Sequence, residues 1–79
     1  MEAYVLINTQ AGRLWEVADS TRKIQGVKMS HAVTGEYDVI VFIEFLRIEE
    51  LSRIIDAIQS IDGVGRTHTA IAMAQRLSY

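Results

Sequence analysis

Two segments of this chain, KIQGV at residues 23–27 and SIDGV at residues 60–64, share one pattern, and their glycines lie 37 residues apart. Each segment follows a stretch with the apolar periodicity of a helix and precedes a stretch rich in strand-forming residues. Glycine directly after a helix supplies the left-handed residue that often ends it. The chain is therefore predicted to contain the same strand-helix-strand unit twice, which restricts its topology more than any other feature of the sequence.

The predicted elements follow one another closely. They are the strand Glu2–Thr9, the helix Gly12–Gln25 with Thr9 as its cap, the strands Val27–Thr34 and Asp38–Leu46, the helix Glu49–Ser60 and a strand from Val64 to about Ala74. Because each crossover is right-handed, two such units fused edge to edge give a four-stranded antiparallel sheet with both helices on one face. We therefore expect an α+β fold, the ferredoxin-like βαββαβ sandwich, in one domain over residues 1–79.

The chain length, cysteine content and net charge limit how such a domain is stabilised and what it binds. A chain of 79 residues without cysteine buries only about 60% of its unfolded surface and has no disulfides, so we expect it to be stabilised by oligomerisation. A net charge of −2 gives no general attraction for nucleic acid, and DNA binding by the chain alone is not expected. We find neither a signal peptide nor a membrane span, and we expect a cytoplasmic protein.

The third predicted strand, within TGEYDVIVFIEF, is apolar on both faces. Its odd-numbered residues, which share one face, are Val39, Val41, Ile43 and Phe45. Its even-numbered residues, which share the other face, are Ile40, Phe42, Glu44 and Leu46. Two helices cover only one face of a sheet, whereas an open face normally alternates with polar residues. We therefore expect two copies of the chain to pair through their open sheet faces, with a monomer that exposes an apolar patch as the alternative.

Catalytic and metal-binding signatures are absent from the sequence. His31 and His68 have no metal-ligand spacing and no HExxH motif, and no cofactor site is expected. Gly63 and Gly65 in DGVGR follow a helix, so they do not form a phosphate loop. No serine or threonine stands in a nucleophile motif. The prediction is a protein that is not an enzyme.

The GEYD turn at residues 35–38 is the most suggestive polar cluster. It can be an ordinary hairpin loop in which Gly35 has a positive φ, Asp38 caps the turn and Tyr37 shields a sheet edge. Alternatively, it recognises a small zwitterion such as an amino acid, with backbone amides around Gly35 taking the carboxylate and Asp38 taking the ammonium. Thr67 and Thr69, on one face of the last strand, can add hydroxyl groups.

The order of elements, the stretch TGEYDVIVFIEF, the helix EELSRIIDAIQSIDGV and the closing GRTHTAIAM together resemble the effector-binding (RAM) domain of the Lrp/AsnC regulators, from about Ala3 to Ala74. The resemblance implies dimers formed through the sheets, assembly of dimers into rings, commonly octamers, and amino-acid binding between dimers. The implied ligand residues are Gly35, Tyr37, Asp38, Thr67 and Thr69, with His31 or Thr34 alongside.

The resemblance also defines the functional expectation and its alternatives. No helix-turn-helix segment precedes the first strand, so the chain resembles a stand-alone sensor module that acts by itself or with a DNA-binding Lrp/AsnC relative. One alternative is a dimeric α/β-barrel enzyme that uses His31 or His68 in a cavity between helices and sheet. Another is a purely structural assembly domain.

Overall fold

The computed structural model describes residues 1–74. Its elements are β1 (Glu2–Thr9), α1 (Leu14–Arg22), β2 (Val27–Ala32), β3 (Val39–Glu44), α2 (Ile48–Gln59) and β4 (Val64–Ile71). The four strands form one antiparallel sheet in the order β2-β3-β1-β4. The predicted βαββαβ topology is confirmed. No helix within residues 1–74 is long and apolar enough to cross a membrane.

The duplicated segments end their helices in the same way. Val27 donates its N–H to the carbonyl of Ile24 at 3.1 Å, and Val64 donates to Ile61 at 3.2 Å. The glycine between each pair has a positive φ, 102° in the first unit and 101° in the second. The repeat seen in the sequence is therefore a repeat of backbone geometry.

The core lies between the helices and one face of the sheet. β1 and β3 bury every second residue on this face, and α1 and α2 bury an apolar stripe against them. The core residues are Ala3, Val5, Ile7, Val17, Ala18, Val39, Val41, Ile43, Phe45, Leu51, Ile54 and Ile58. The buried polar side chains in the described part of the chain are Thr21 and Ser30. The Thr21 hydroxyl donates to the Ala18 carbonyl at 2.8 Å and lies 2.8 Å from the Ser30 hydroxyl, so both groups are satisfied.

Several predicted ends are wrong by a few residues. Helix α1 begins at Leu14 because Gly12 has a φ of 79°, which is not helical. Thr9 does not cap α1, since Arg13 occupies the capping position and the Thr9 backbone donates elsewhere. Strand β2 stops at Ala32 and β3 starts at Val39, which leaves a loop at residues 33–38.

One arginine joins the start of α1 to the segment that follows α2. Arg13, directly before α1, donates to Asp62 at 3.0 Å and to Glu16 at 2.9 Å. These two hydrogen bonds, the one to Asp62 first, raise the pKa of Arg13 above its ordinary value. Both acids are exposed to solvent, so the ion pairs affect the position of the α1 start more than stability.

The second face of the sheet carries no helix, and we call it the open face. Its residues alternate along the strands with the buried ones. They are Tyr4, Leu6, Met29, His31, Ile40, Phe42, His68 and Ala70, with Glu2 and Glu44 at one end. Tyr4 and Phe42 pack at a centroid distance of 5.2 Å. Tyr4 is 43% exposed and Met29 51% exposed, although Tyr4 stands on a central strand. The expected apolar open face is therefore present.

Candidate functional site

The loop at residues 33–38 joins two neighbouring strands and is closed by its own backbone. The N–H of Val33 donates to the carbonyl of Asp38 at 2.9 Å. Gly35, at its tip, has a φ of 111°, and a Cβ added there would meet no atom within 4 Å. The backbone around Gly35 is therefore open on the side where a side chain would stand, and it can be approached by a small molecule.

The loop is attached to the end of β1 by three residues of its own chain. The Asp38 carboxylate accepts the backbone N–H of Thr9 at 2.7 Å and lies 3.3 Å from the Thr9 hydroxyl. The Asp38 N–H donates to Ile7 at 2.8 Å, and the Asn8 side chain donates to the Glu36 carbonyl at 2.7 Å. Both contacts to Thr9 use the Oδ2 atom of Asp38. Oδ1 has no hydrogen-bond donor among residues 1–74, so the carboxylate holds the loop and can still accept one further donor.

Tyr37 points to the open face and not toward the Asp38 contacts. Its ring meets the His68 ring edge to face, at a centroid distance of 5.7 Å and an interplanar angle of 70°. His68 pairs with Leu6 on the neighbouring strand, which places it on the open face. The loop therefore contributes to two surfaces, a polar one at Gly35 and Asp38 and an aromatic one on the sheet.

The two threonines of β4 stand on the other side of the sheet. Thr67 and Thr69 pair with Ile7 and Val5, which are core residues, so both threonines are on the helix side. Thr67 is half-buried and accepts a hydrogen bond from Gln59 of α2 at 3.0 Å, whereas Thr69 is exposed. Within one chain the structure does not bring them together with the Tyr37 ring.

The two remaining predicted residues also differ in position. Thr34 is exposed in the loop, next to Gly35. His31 is exposed on the open face, where it pairs with Ile40. Of the seven predicted ligand residues, the loop therefore gathers Thr34, Gly35, Tyr37 and Asp38, and the strands hold the others on two different faces.

Sequence reasoning missed Asn8, Thr9 and His68 as partners of the loop. The polar pair Asn8-Thr9 after an apolar strand was available as a signal, because antiparallel pairing brings the end of β1 beside the start of β3. The contact between His68 and Tyr37 had no such signal, since it depends on the register between β1 and β4.

The described chain also forms a groove of about 440 Å³ along the outer edge of β2. It is lined by Arg22, Val27, Lys28, Met29, Ser30 and His31. Arg22 donates to the backbone carbonyl of Ser30 through Nε at 3.2 Å and Nη2 at 3.1 Å, so the guanidinium satisfies one outward carbonyl of this edge strand. No group of three or more His, Cys, Asp or Glu side chains within residues 1–74 is arranged to hold a metal ion.

Known proteins share the sequence pattern and the fold of this chain. A sequence model of the Lrp/AsnC ligand-binding domain matches residues 2–78. The HTH-type transcriptional regulator FL11 of Pyrococcus abyssi is 40% identical over 73 residues, which are 92% of this chain and 48% of the regulator. The chain thus spans about half the length of the curated relatives it matches.

Two solved structures extend the comparison. TTHA0845 from Thermus thermophilus is 28% identical with a TM-score of 0.89, and the match covers 98% of both chains. The transcriptional regulator NMB0573 from Neisseria meningitidis, solved as a complex with L-methionine, is 24% identical with a TM-score of 0.81, covering 98% of this chain and 52% of the regulator. At that identity the second likeness concerns the fold alone.

Proposed function

The chain belongs to the Lrp/AsnC ligand-binding domain family, and from this premise we propose that it is an amino-acid-binding sensor module that acts in transcription regulation. The observation that carries the proposal is the state of the loop at residues 33–38. Asn8 and Thr9 hold it in place, while the backbone at Gly35 and one oxygen of Asp38 remain available. A polar site that is fixed before the ligand arrives loses little entropy on binding.

The chemistry of the loop suits the part that all amino acids share. Backbone N–H groups around Gly35 are donors for a carboxylate, and Asp38 is an acceptor for an ammonium group. NMB0573 of Neisseria meningitidis binds L-methionine on the same fold, which is consistent with this ligand class. The loop addresses the zwitterion and not the side chain, so the identity of the amino acid depends on groups beyond it.

Assembly is the second part of the proposal. Tyr4, Leu6, Ile40 and Phe42 stand on the two central strands, yet each is at least partly exposed, and the described chain offers nothing to cover them. A second copy can cover them with its own apolar face, because a two-fold contact joins the same surface patch of both subunits. We propose such dimers as the basic unit and rings of dimers, octamers in the first instance, as the assembled form.

In the proposed rings, two dimers together form the ligand site. Thr67 and Thr69 are on the helix side of β4, away from Tyr37, and Thr69 is exposed at the sheet edge. In our proposal the loop of one dimer and the threonine edge of another complete the site together, with Thr34 beside Gly35 and His31 nearby. Ligand binding and ring assembly are then linked.

The regulatory part of the proposal rests on the relatives. FL11 of Pyrococcus abyssi is an HTH-type regulator, and this chain corresponds to about half of its length. We propose that the module acts in the cytoplasm without contacting DNA itself and reaches promoters through mixed assembly with a DNA-binding relative. Its net charge of −2 gives it no general attraction for the DNA backbone, which is consistent with DNA binding by the relative.

Two other classes remain as outcomes of the test. An enzyme that uses His31 or His68 between helices and sheet has little support, because both histidines are on the open face and the buried polar side chains in residues 1–74 are Thr21 and Ser30. A purely structural assembly domain would pair as proposed and bind no amino acid. The family relatives are transcriptional regulators, which favours a role without catalysis.

The test is a thermal-shift screen of the twenty amino acids, followed by titration of each hit into the parent and two loop variants. Asp38→Asn keeps an acceptor for Thr9 but removes the negative charge, and we expect it to bind a hit at least about 10-fold more weakly. Glu36→Gln is the matched control, because it removes a charge from the same loop. The Glu36 side chain is exposed and has no hydrogen bond among the described residues, so this variant should bind the amino acid as the parent does. If no amino acid shifts the parent, the ligand class is wrong; if Asp38→Asn binds unchanged, the ammonium contact is misplaced.

A further inference from the structure

Both histidines of the chain are on the open face and in one cross-strand row. His31 of β2 pairs with Ile40 of β3, Ile40 pairs with Leu6 of β1, and Leu6 pairs with His68 of β4. β2 and β4 are the two edge strands, so the row has an imidazole at each end and aliphatic side chains between them. Both imidazoles are exposed in the single chain.

The groups around His31 disfavour a positive charge there. Ile40 is directly opposite, and Met29 and Phe42 stand in the adjacent row of the same face. Arg22 of α1 and Lys28 of β2 line the same groove as His31. Arg22 is paired with Asp19, and Lys28 has no ion pair in the described part of the chain. Protonated His31 would therefore add a third cation to this edge.

His68 has a similar environment at the other edge. Leu6 is directly opposite, Tyr37 contacts the ring from the loop, and Arg66 is exposed two residues earlier on the strand. Two acids flank Tyr37 in the loop. Glu36 is exposed, and the carboxylate of Asp38 is hydrogen-bonded to Thr9. The acids of the open side, Glu2 and Glu44, pair with each other at the far end of the strands, beyond the row of Tyr4 and Phe42.

We propose that protonation of His31 and His68 opposes the pairing of two copies through the open face, so that the dimer forms at pH 8 and dissociates toward pH 5. This inference rests on the proposed pairing. The occupant of the face is a second copy, which brings the same apolar residues, two further imidazoles and the carboxylates of its own Glu2 and Glu44. A charged imidazole covered by that surface loses its hydration, and no carboxylate of the same row replaces it.

The direction follows from proton counting. If the dimer holds the imidazoles neutral while separate chains take up protons, the separate chains bind more protons at low pH and are favoured there. An ordinary histidine titrates near pH 6.5, so requiring one to be neutral lowers an association constant about 30-fold at pH 5 relative to pH 8. A dimer contains two copies of each histidine. We therefore expect the association constant of the parent to fall at least about 100-fold between these pH values.

The experiment measures association of fluorescently labelled full chains at pH 8, 6.5 and 5, by dilution and by the rate of subunit exchange, with circular dichroism to follow folding. The variant His31→Gln with His68→Gln keeps polar side chains that do not titrate, and we expect its association to change less than about 3-fold over the same range. Glu36→Gln serves as the control, because it removes a titratable group that is exposed in the loop.

The results separate this proposal from the one beneath it. A parent that remains a single chain at pH 8 would show that pairing itself is wrong. A parent that pairs at pH 8 with association changing less than 3-fold down to pH 5, or a glutamine variant that retains the full pH dependence, would overturn the role of the histidines and leave pairing intact.

Discussion

The replacement of Asp38 by alanine tests how the loop at residues 33–38 is held. The structure gives the carboxylate two contacts to Thr9, one to the backbone N–H at 2.7 Å and one to the hydroxyl at 3.3 Å. A hydrogen bond to a charged group contributes roughly 1.5–3 kcal/mol, and losing it leaves a half-buried N–H without its partner. The site is part-buried, so we expect Asp38→Ala to lower the free energy of unfolding by about 1.5–2 kcal/mol.

Two further variants separate the causes of that loss. Asp38→Asn retains an acceptor for Thr9 and should cost only about 0.5–1 kcal/mol, the difference between a hydrogen bond to a charged group and a neutral one. Glu36→Gln changes an exposed side chain of the same loop and should stay within about 0.5 kcal/mol of the parent.

Urea unfolding at one fixed chain concentration measures all three variants, because assembly shifts apparent stability. The free energy of unfolding of a chain of this size is roughly 4–12 kcal/mol, so a change of about 2 kcal/mol is readily resolved. If Asp38→Ala were no less stable than Glu36→Gln, the carboxylate would not be what fastens the loop to β1. The loop could not then be treated as fixed before the proposed ligand binds.

The other predictions concern the core, the helix ends and assembly. Gly63→Ala should lose about 1–3 kcal/mol more than Gly35→Ala by urea unfolding, because both have φ above 100° but only the Cβ at residue 63 would meet atoms, at 2.9 Å and 3.1 Å; equal losses would exclude crowding as the cause. Thr21→Val alone should cost about 1–3 kcal/mol, whereas combining it with Ser30→Ala should recover part of the loss by removing both members of the buried hydroxyl pair; simple additivity in thermal unfolding would argue against that pairing. Trp15, which is 65% exposed on α1, is a candidate anchor between dimers, and Trp15→Ala should lower the assembly mass in native mass measurement without unfolding the dimer; an unchanged mass removes this role.

The topology could be predicted because it depends on local patterns that occur twice. KIQGV and SIDGV mark two helix ends with the same hydrogen bonds, and β1 was predicted with its observed bounds. The errors occurred where a local pattern continues past the end of an element. Thr34 alternates as a strand residue should, but it stands in the loop after β2.

The candidate site was predictable only in its local part. Gly35, Tyr37 and Asp38 are consecutive or nearly so, and a positive φ at Gly35 was predictable because glycine in a hairpin turn adopts it without steric cost. The face of Thr67 and Thr69 could not be assigned, because β4 is an edge strand whose residues are mostly exposed on both sides and so carry little alternation. The bond between Asp38 and Thr9 joins residues 29 positions apart and depends on strand register, which residue types alone do not fix.

Both proposals require that another copy of the chain covers the open face, and the mass in solution tests this directly. Sedimentation equilibrium at micromolar concentration and pH 8 should give at least twice the chain mass of 8.9 kDa, and Phe42→Lys should shift the mass toward one chain while the fold persists. A parent mass of one chain under those conditions, with Tyr4 and Phe42 wetted by solvent, would contradict the account.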